Sequence, residues 1–140
     1  MPSIFSRIAS GDIPAITVYE DADTLAFLDI SPASKGHTLV IAKAEYPDIY
    51  SIPPALLVAV GATVQRIAVA LHAALQPDGL NILQNNGSAA GQTVFHYHVH
   101  LIPRWNGDQV VQPWRTLDMQ QDELRAIAAQ IRQHSARERS

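Results

Sequence analysis

The first strand-like runs in the chain are Ile16 to Glu20 and Leu25 to Asp29, on either side of the polar turn Asp21-Ala22-Asp23. This is the pattern of a β-hairpin. Before it, Ser3 to Ala9 reads as a short amphipathic turn or helix stopped by Gly11, with Pro14 beyond. After it, His37 opens a third apolar strand, Thr38 to Ala42. Three prolines between Pro47 and Pro54 mark a connection. From Ala55 to Leu75, Leu56, Val60, Val64, Ile67, Leu71 and Leu75 recur at helical spacing, with Pro53-Pro54 near the first turn. The other faces of this helix are also poor in polar residues, which predicts burial on more than one side. One side can pack on a sheet, and the other suggests a subunit partner unless the C-terminal helix covers it. Gly79 to Gln84 reads as another strand, followed by the polar loop Asn85 to Gly91. Beyond Arg104, the tail runs through Gly107-Asp108, Val110-Val111 and Pro113-Trp114. A helix from about Asp118 follows, with Leu124, Ile127, Ala128 and Ile131 as one stripe and an Asp118/Gln121 capping box. Arg137, Glu138 and Arg139 are expected to fray in solvent.

The stretch with most chemistry is Gly91-Gln92-Thr93-Val94-Phe95-His96-Tyr97-His98-Val99-His100-Leu101-Ile102-Pro103, followed by Arg104. Three of the six histidines stand here at i, i+2, i+4. On a strand all three imidazoles share one face, with Phe95, Tyr97, Val99 and Leu101 on the other. A merely solvated face would be served as well by Ser, Thr, Lys or Glu. A single metal is poorly served, because His96 and His100 would be about 13 Å apart at the backbone, whereas zinc ligands converge to about 2.1 Å from the ion. Acid, base and nucleophile work on a bound anion suits a side chain that is neutral and usable near pH 7. That reading is preferred.

Composition narrows the field. A chain of 140 residues, 47% hydrophobic and 16% charged, suits one globular domain with a proper core. A formal charge of −3 without Lys/Arg clusters argues against nucleic-acid polymers as partners. With no cysteine, no disulfide and no thiolate zinc site can form. No signal pattern opens the chain and no apolar run is read as long enough for a membrane span, so a cytoplasmic protein without membrane contact is expected.

The sequence His-x-His-x-His followed by two apolar residues resembles the signature of the histidine triad (HIT) superfamily of nucleotide hydrolases and transferases. Gly91-Gln92-Thr93 strengthens the resemblance, and so do Ile4-Phe5, Gly11-Asp12-Ile13-Pro14, Ala26 to Pro32, Gly36 to Ile41 and Asn85-Asn86-Gly87, all in the family's order. It covers about residues 4 to 108, with a helical extension over about 109 to 140 in one HIT domain. The chain departs from many relatives at Ala44-Glu45, where they have another histidine. The structural zinc site of some relatives cannot be built here in its cysteine form.

The resemblance implies an α+β fold of the HIT type. It would have an antiparallel sheet of about five strands, a long helix packed on it and a C-terminal helix. It also implies a homodimer with the long helix and an adjoining strand at the interface. In the implied mechanism, His98 attacks the α-phosphorus of a nucleoside phosphate derivative to give a nucleotidyl-histidine, and water then releases the monophosphate. His96 and His100 would donate to phosphoryl oxygens, and His37 would orient a triad imidazole or set its tautomer. Gly91, Gln92, Thr93 and Asn85 would hold phosphate or leaving group, the loop serving as a cradle. Asp29 would accept the ribose hydroxyls, with Phe27 and Phe5 beside sugar or base. No cofactor or metal is required, and a divalent cation is expected only with a polyphosphate substrate. The N-terminal motifs and Asp29-Ile30-Ser31-Pro32 resemble the branch that cleaves nucleoside phosphoramidates and adenylates. Gly91-Gln92-Thr93 and Leu101 to Arg104 resemble the dinucleoside polyphosphate hydrolases. A non-catalytic nucleotide-binding partner protein is the third alternative, although such a protein would not need His98.

Overall fold

In the computed structural model, residues 1–110 and 114–135 are described. Val111 and Pro113 of the tail, and Arg137, Glu138 and Arg139 with their expected fraying, lie outside the described residues. The chain divides into two compact units, Met1–Val110 and Val111–Ser140.

In the first unit, helix α1 (Ile4–Ala9) leads into strands β1 (Thr17–Glu20) and β2 (Thr24–Leu28). Their turn is made by Asp21, whose Oδ1 accepts the Asp23 N–H at 2.9 Å, the Thr24 N–H at 2.8 Å and the Thr24 hydroxyl at 2.9 Å. A short carboxylate that gathers local donors in this way closes a turn without help from distant residues. Strand β3 (Thr38–Ala42), helix α2 (Pro54–Leu75), strand β4 (Gly79–Leu83) and strand β5 (His98–Arg104) complete the unit. All strand pairings are antiparallel, and the spatial order is β1-β2-β3-β5-β4.

The central strands are buried on both faces, which is why β2 and β3 carry continuous apolar runs and not alternation. On one face Ala26, Val40, Ala42, Val99 and Leu101 pack with Val60 and Ile67 of α2. On the other, Leu25, Phe27, Leu39 and Ile41 pack with Phe5 of α1. The site described below lies on this second face.

Helix α2 differs from the sequence reading in one respect. Its 22 residues have a window of mean hydropathy 1.7, long and apolar enough by length and composition to cross a membrane. The expectation that no apolar run is long enough for a membrane span is therefore corrected. Within the single chain 17% of that window is buried, by the face carrying Val60, Thr63 and Ile67, while Val58 and Val69 are exposed.

In the second unit, α3 (Gln121–Ser135) starts later than the Asp118/Gln121 capping box requires. Instead the Glu123 carboxylate accepts the Gln120 N–H at 3.1 Å, so the first turn is held two residues further on.

Candidate active site

Strand β5 lies between β3 and β4, with His98 opposite Ile41 and His100 opposite Leu39. Its alternation sends Val99 and Leu101 under α2 and the two histidines to the α1 face. The ladder begins only at His98, so His96 precedes the strand and the expected three-histidine strand is two histidines long. Phe95, expected in the core, is exposed.

Hydrogen-bond partners assign a different proton arrangement to each histidine. His98 Nδ1 is 2.6 Å from the His96 carbonyl oxygen. Since a carbonyl only accepts, Nδ1 carries the proton and Nε2 keeps its lone pair. His96 Nε2 donates to Ala42 O at 2.6 Å, and its Nδ1 accepts from the Ser3 hydroxyl at 2.7 Å. Both ring nitrogens are thus used within the protein, and the ring is fully buried. The expectation that His96 donates to a phosphoryl oxygen is corrected accordingly. His37 Nδ1 accepts the Ala33 N–H at 2.9 Å, so its proton is on Nε2, which lies 3.0 Å from His100 Nδ1. His100 is therefore the Nε2–H tautomer, with a donor on the side away from His37.

Burial pushes all four imidazoles below their ordinary pKa of about 6.5. For His98 the neighbouring His96 adds to the effect, while the His96 carbonyl and Asp29 oppose it. His100 is pushed down to about 4 by burial and by the facing His98 and His37. His96 and His37 are lowered chiefly by burial, against Glu45 and Asp29 respectively. At neutral pH the cluster is uncharged, which is the state a histidine nucleophile needs.

A cavity of about 300 Å³ opens beside these rings, at the lower end of the small-ligand range. Phe5, Phe27, Asp29, Thr93, His98 and His100 all contribute to its wall. Phe5 stands edge-on to His98 at 4.9 Å and to Phe27 at 5.6 Å between ring centroids. Asp29, just past β2, has Oδ1 held by the Ser31 N–H at 2.9 Å and Oδ2 3.6 Å from His37 Nε2. A slot lined by two aromatic rings, one carboxylate and two imidazoles can take a nucleoside against the aromatics and a phosphate against the histidines.

The expected phosphate cradle is assembled only in part. Gln92 is buried: its Oε1 accepts the Gly87 N–H, and its Nε2 donates to Pro47 O at 2.5 Å and Val94 O at 3.1 Å. It braces the loop and is not presented to a ligand. The backbone N–H groups of Gly91 and Gln92 are used in the turn, donating to Ser88 O and Gly87 O. Asn85 lies beside Gly91 and does not line the cavity. Of the cradle residues, Thr93 alone reaches the cavity, and among the described residues neither its N–H nor its hydroxyl has a hydrogen-bond partner.

Donor atoms of Asp29, His37 and His100 lie within 4.8 Å of one another, close enough to suggest a metal site. The proton inventory does not fit one. His37 Nδ1 already spends its lone pair on the Ala33 N–H, so a metal on Nε2 would require the imidazolate. Ser3, Ser6 and the Ala33 N–H are partners of the histidines beyond those expected from sequence. Ser3 and Ser6 stand three apart, on one side of a helical turn, with Ser3 at its N-cap, and that spacing was the available signal.

A family model for the HIT domain matches residues 10–107. The chain is 46% identical over 131 residues to Protein hit of Bacillus subtilis, covering 91% of this chain and 90% of that one. It is 36% identical over 132 residues to the adenosine 5'-monophosphoramidase hnt1 of Schizosaccharomyces pombe, covering 94% and 96%. The crystal structure of a HIT family member from Bacillus subtilis superimposes with a TM-score of 0.90 at 43% identity, covering 95% of this chain and 96% of that one.

Proposed function

Because this chain belongs to the HIT family, whose named relatives include nucleotide hydrolases, we propose that it hydrolyses nucleoside phosphoramidates or related adenylates at the α-phosphate. The observation that carries this reading is the 2.6 Å bond from His98 Nδ1–H to the His96 carbonyl. It leaves Nε2 unprotonated in a ring that lines the nucleoside-sized cavity. The similarity to an adenosine monophosphoramidase over nearly the whole chain supports the choice of substrate class.

In the proposed sequence, Asp29 accepts the ribose hydroxyls and Phe5 and Phe27 flank the nucleoside. His98 Nε2 attacks the α-phosphorus, a P–N bond forms to the imidazole, and the substrate's bond from phosphorus to its leaving nitrogen breaks. That nitrogen departs with a proton from solvent, since neutral His100 would be left as an imidazolate if it gave up its own; the Nε2–H of His100, whose ring is 5.0 Å from that of His98, instead donates a hydrogen bond to a phosphoryl oxygen. Thr93 N–H and Oγ1 are available to a phosphoryl oxygen as charge builds on it. Water then attacks the phosphorus and releases a proton to solvent, the P–Nε2 bond breaks with its electron pair returning to Nε2, and the nucleoside monophosphate leaves. No step needs a metal or cofactor. We place the protein in the cytoplasm and take its working form to be a homodimer.

The test is a parallel assay of AMP release from an adenosine phosphoramidate and from diadenosine tetraphosphate, by wild type and by His98→Ala. Faster phosphoramidate cleavage that is lost in the variant is the expected result. Faster cleavage of the dinucleotide would replace this substrate class with dinucleoside polyphosphates. No AMP from either substrate would leave a nucleotide-binding partner protein.

A further inference from the structure

Glu45 projects from the segment just after β3 and faces α1, although it is 42 residues from Ser3 and 39 from Ser6 in sequence. Its Oε1 accepts the Ser3 N–H at 2.8 Å and the Ser6 hydroxyl at 2.6 Å. With the Ser6 proton committed to Glu45, the Ser3 hydroxyl is the one that donates to His96 Nδ1, at 2.7 Å, and Ser3 Oγ in turn accepts the Ser6 N–H at 3.0 Å. Every donor in the group has one acceptor, which fixes the direction of each bond.

The two sides of this group are unequally held. The Glu45 segment is tied to the sheet by His96 Nε2–H to Ala42 O at 2.6 Å and by Tyr97 N–H to Tyr46 O at 2.7 Å. By contrast, among the described residues, the hydrogen bonds that join residues 1–10 to anything beyond Ile13 are those of Ser3 and Ser6 alone. Between these two serines sits Phe5, which walls the cavity and touches the His98 ring edge-on.

We infer that Glu45, acting through Ser3 and Ser6, is a positioning residue that latches α1 onto His96, and so sets both the Phe5 wall of the nucleoside pocket and the orientation of His98. The latch reaches the nucleophile by two routes. One is the Phe5 ring, and the other is the His96 main chain, whose carbonyl holds His98 Nδ1–H. That the pocket takes a nucleoside rests on the function proposed above; the latch itself does not.

The test combines AMP titration with the imidazole ¹⁵N–¹H spectrum, for wild type, Glu45→Ala, Glu45→Gln and Ser6→Ala. The glutamine variant keeps an acceptor oxygen at the same place, and Ser6→Ala keeps the cap on His96, so both guard against a merely unstable alanine variant. The expected result is a rise of about two- to tenfold in the AMP Kd of Glu45→Ala and Ser6→Ala, the scale of one or two lost hydrogen bonds, with Glu45→Gln close to wild type. The His98 Nδ1–H signal should shift or broaden in the first two variants and not in the third. An unchanged Kd together with an unchanged His98 signal would overturn the inference, even if melting temperatures fell, because the latch would then be structural only. Failure of the wild type to bind AMP would instead count against the proposed function, and the spectra would still decide the latch.

Discussion

His37 Nε2 donates to His100 Nδ1 across 3.0 Å, and the direction of this bond is set by the Ala33 N–H on the far side of the His37 ring. The series runs from a backbone amide through two imidazoles to the His100 Nε2–H. Replacing His37 by alanine leaves His100 free to take either tautomer, and the Nδ1–H form presents a lone pair where a donor is needed. His37→Ala is expected to lower kcat about tenfold with little change in KM, the signature of an interaction made mainly in the transition state. Steady-state kinetics on an adenosine phosphoramidate checks it. A KM effect with kcat intact would place His37 in ground-state binding instead.

The depressed pKa values make two linked pH predictions. Protonation of His98 removes the attacking lone pair, so kcat/KM should fall on the acid side, with its midpoint below the ordinary histidine value of about 6.5. Stability should change in the same region. The unfolded chain takes up its histidine protons near 6.5, whereas folded His100 does so only at about 4. Between those values the unfolded state binds more protons, so stability is lost as pH falls from about 6.5 toward 4, at no more than about 1.4 kcal/mol per pH unit for each such histidine. The carboxylates Glu45 and Asp108 have pKa values lowered below their ordinary range and act only at lower pH. Urea midpoints measured between pH 7.5 and 4.5 test the second prediction; a midpoint independent of pH would contradict it.

Much of this arrangement could be read from sequence. The hairpin about Asp21, the strand from Thr38 to Ala42 and the long helix follow from turn chemistry and periodicity, which act over neighbouring residues. The strand spacing placed His98 and His100 on one face correctly. It failed at His96, because alternation assumes a continuous ladder and the ladder starts two residues later. Gln92 was assigned to phosphate as a polar residue in a polar loop, yet three main-chain groups from Pro47, Gly87 and Val94 claim its amide. Pro47 is 45 residues from Gln92 and leaves no local trace, and Glu45 meeting Ser3 and Ser6, 42 and 39 residues away, is the same case.

Gly36 supplies a prediction about the turn that delivers His37. Its φ is +88°, and a Cβ there would come within 2.5 Å of Leu75 Cδ1 at the end of α2. Gly36→Ala incurs both the left-handed backbone penalty and overpacking, about 2 to 4 kcal/mol together. A lowered urea midpoint with unchanged m-value is the expected readout. A loss below about 0.5 kcal/mol would show that Leu75 yields freely and that the close approach is unimportant.

The outward face of α2 carries the prediction about assembly. Val58 and Val69 are 71% and 65% exposed, and the eleven-residue step between them makes just over three whole turns, so the two side chains lie on one face. At the sheet edge formed by β4, Ile82 and Leu83 are also exposed. Apolar surface of this kind on a helix and an unpaired strand edge is costly to leave in water and prone to self-association. A homodimer closing on this surface is therefore expected, with a dimer mass in gel filtration with light scattering at micromolar concentration. Val69→Glu should shift the mass toward the monomer, since a carboxylate buried at an interface without a partner costs several kcal/mol. A monomer mass for the wild type at that concentration would remove the dimer. A variant that remains dimeric would move the interface away from Val69.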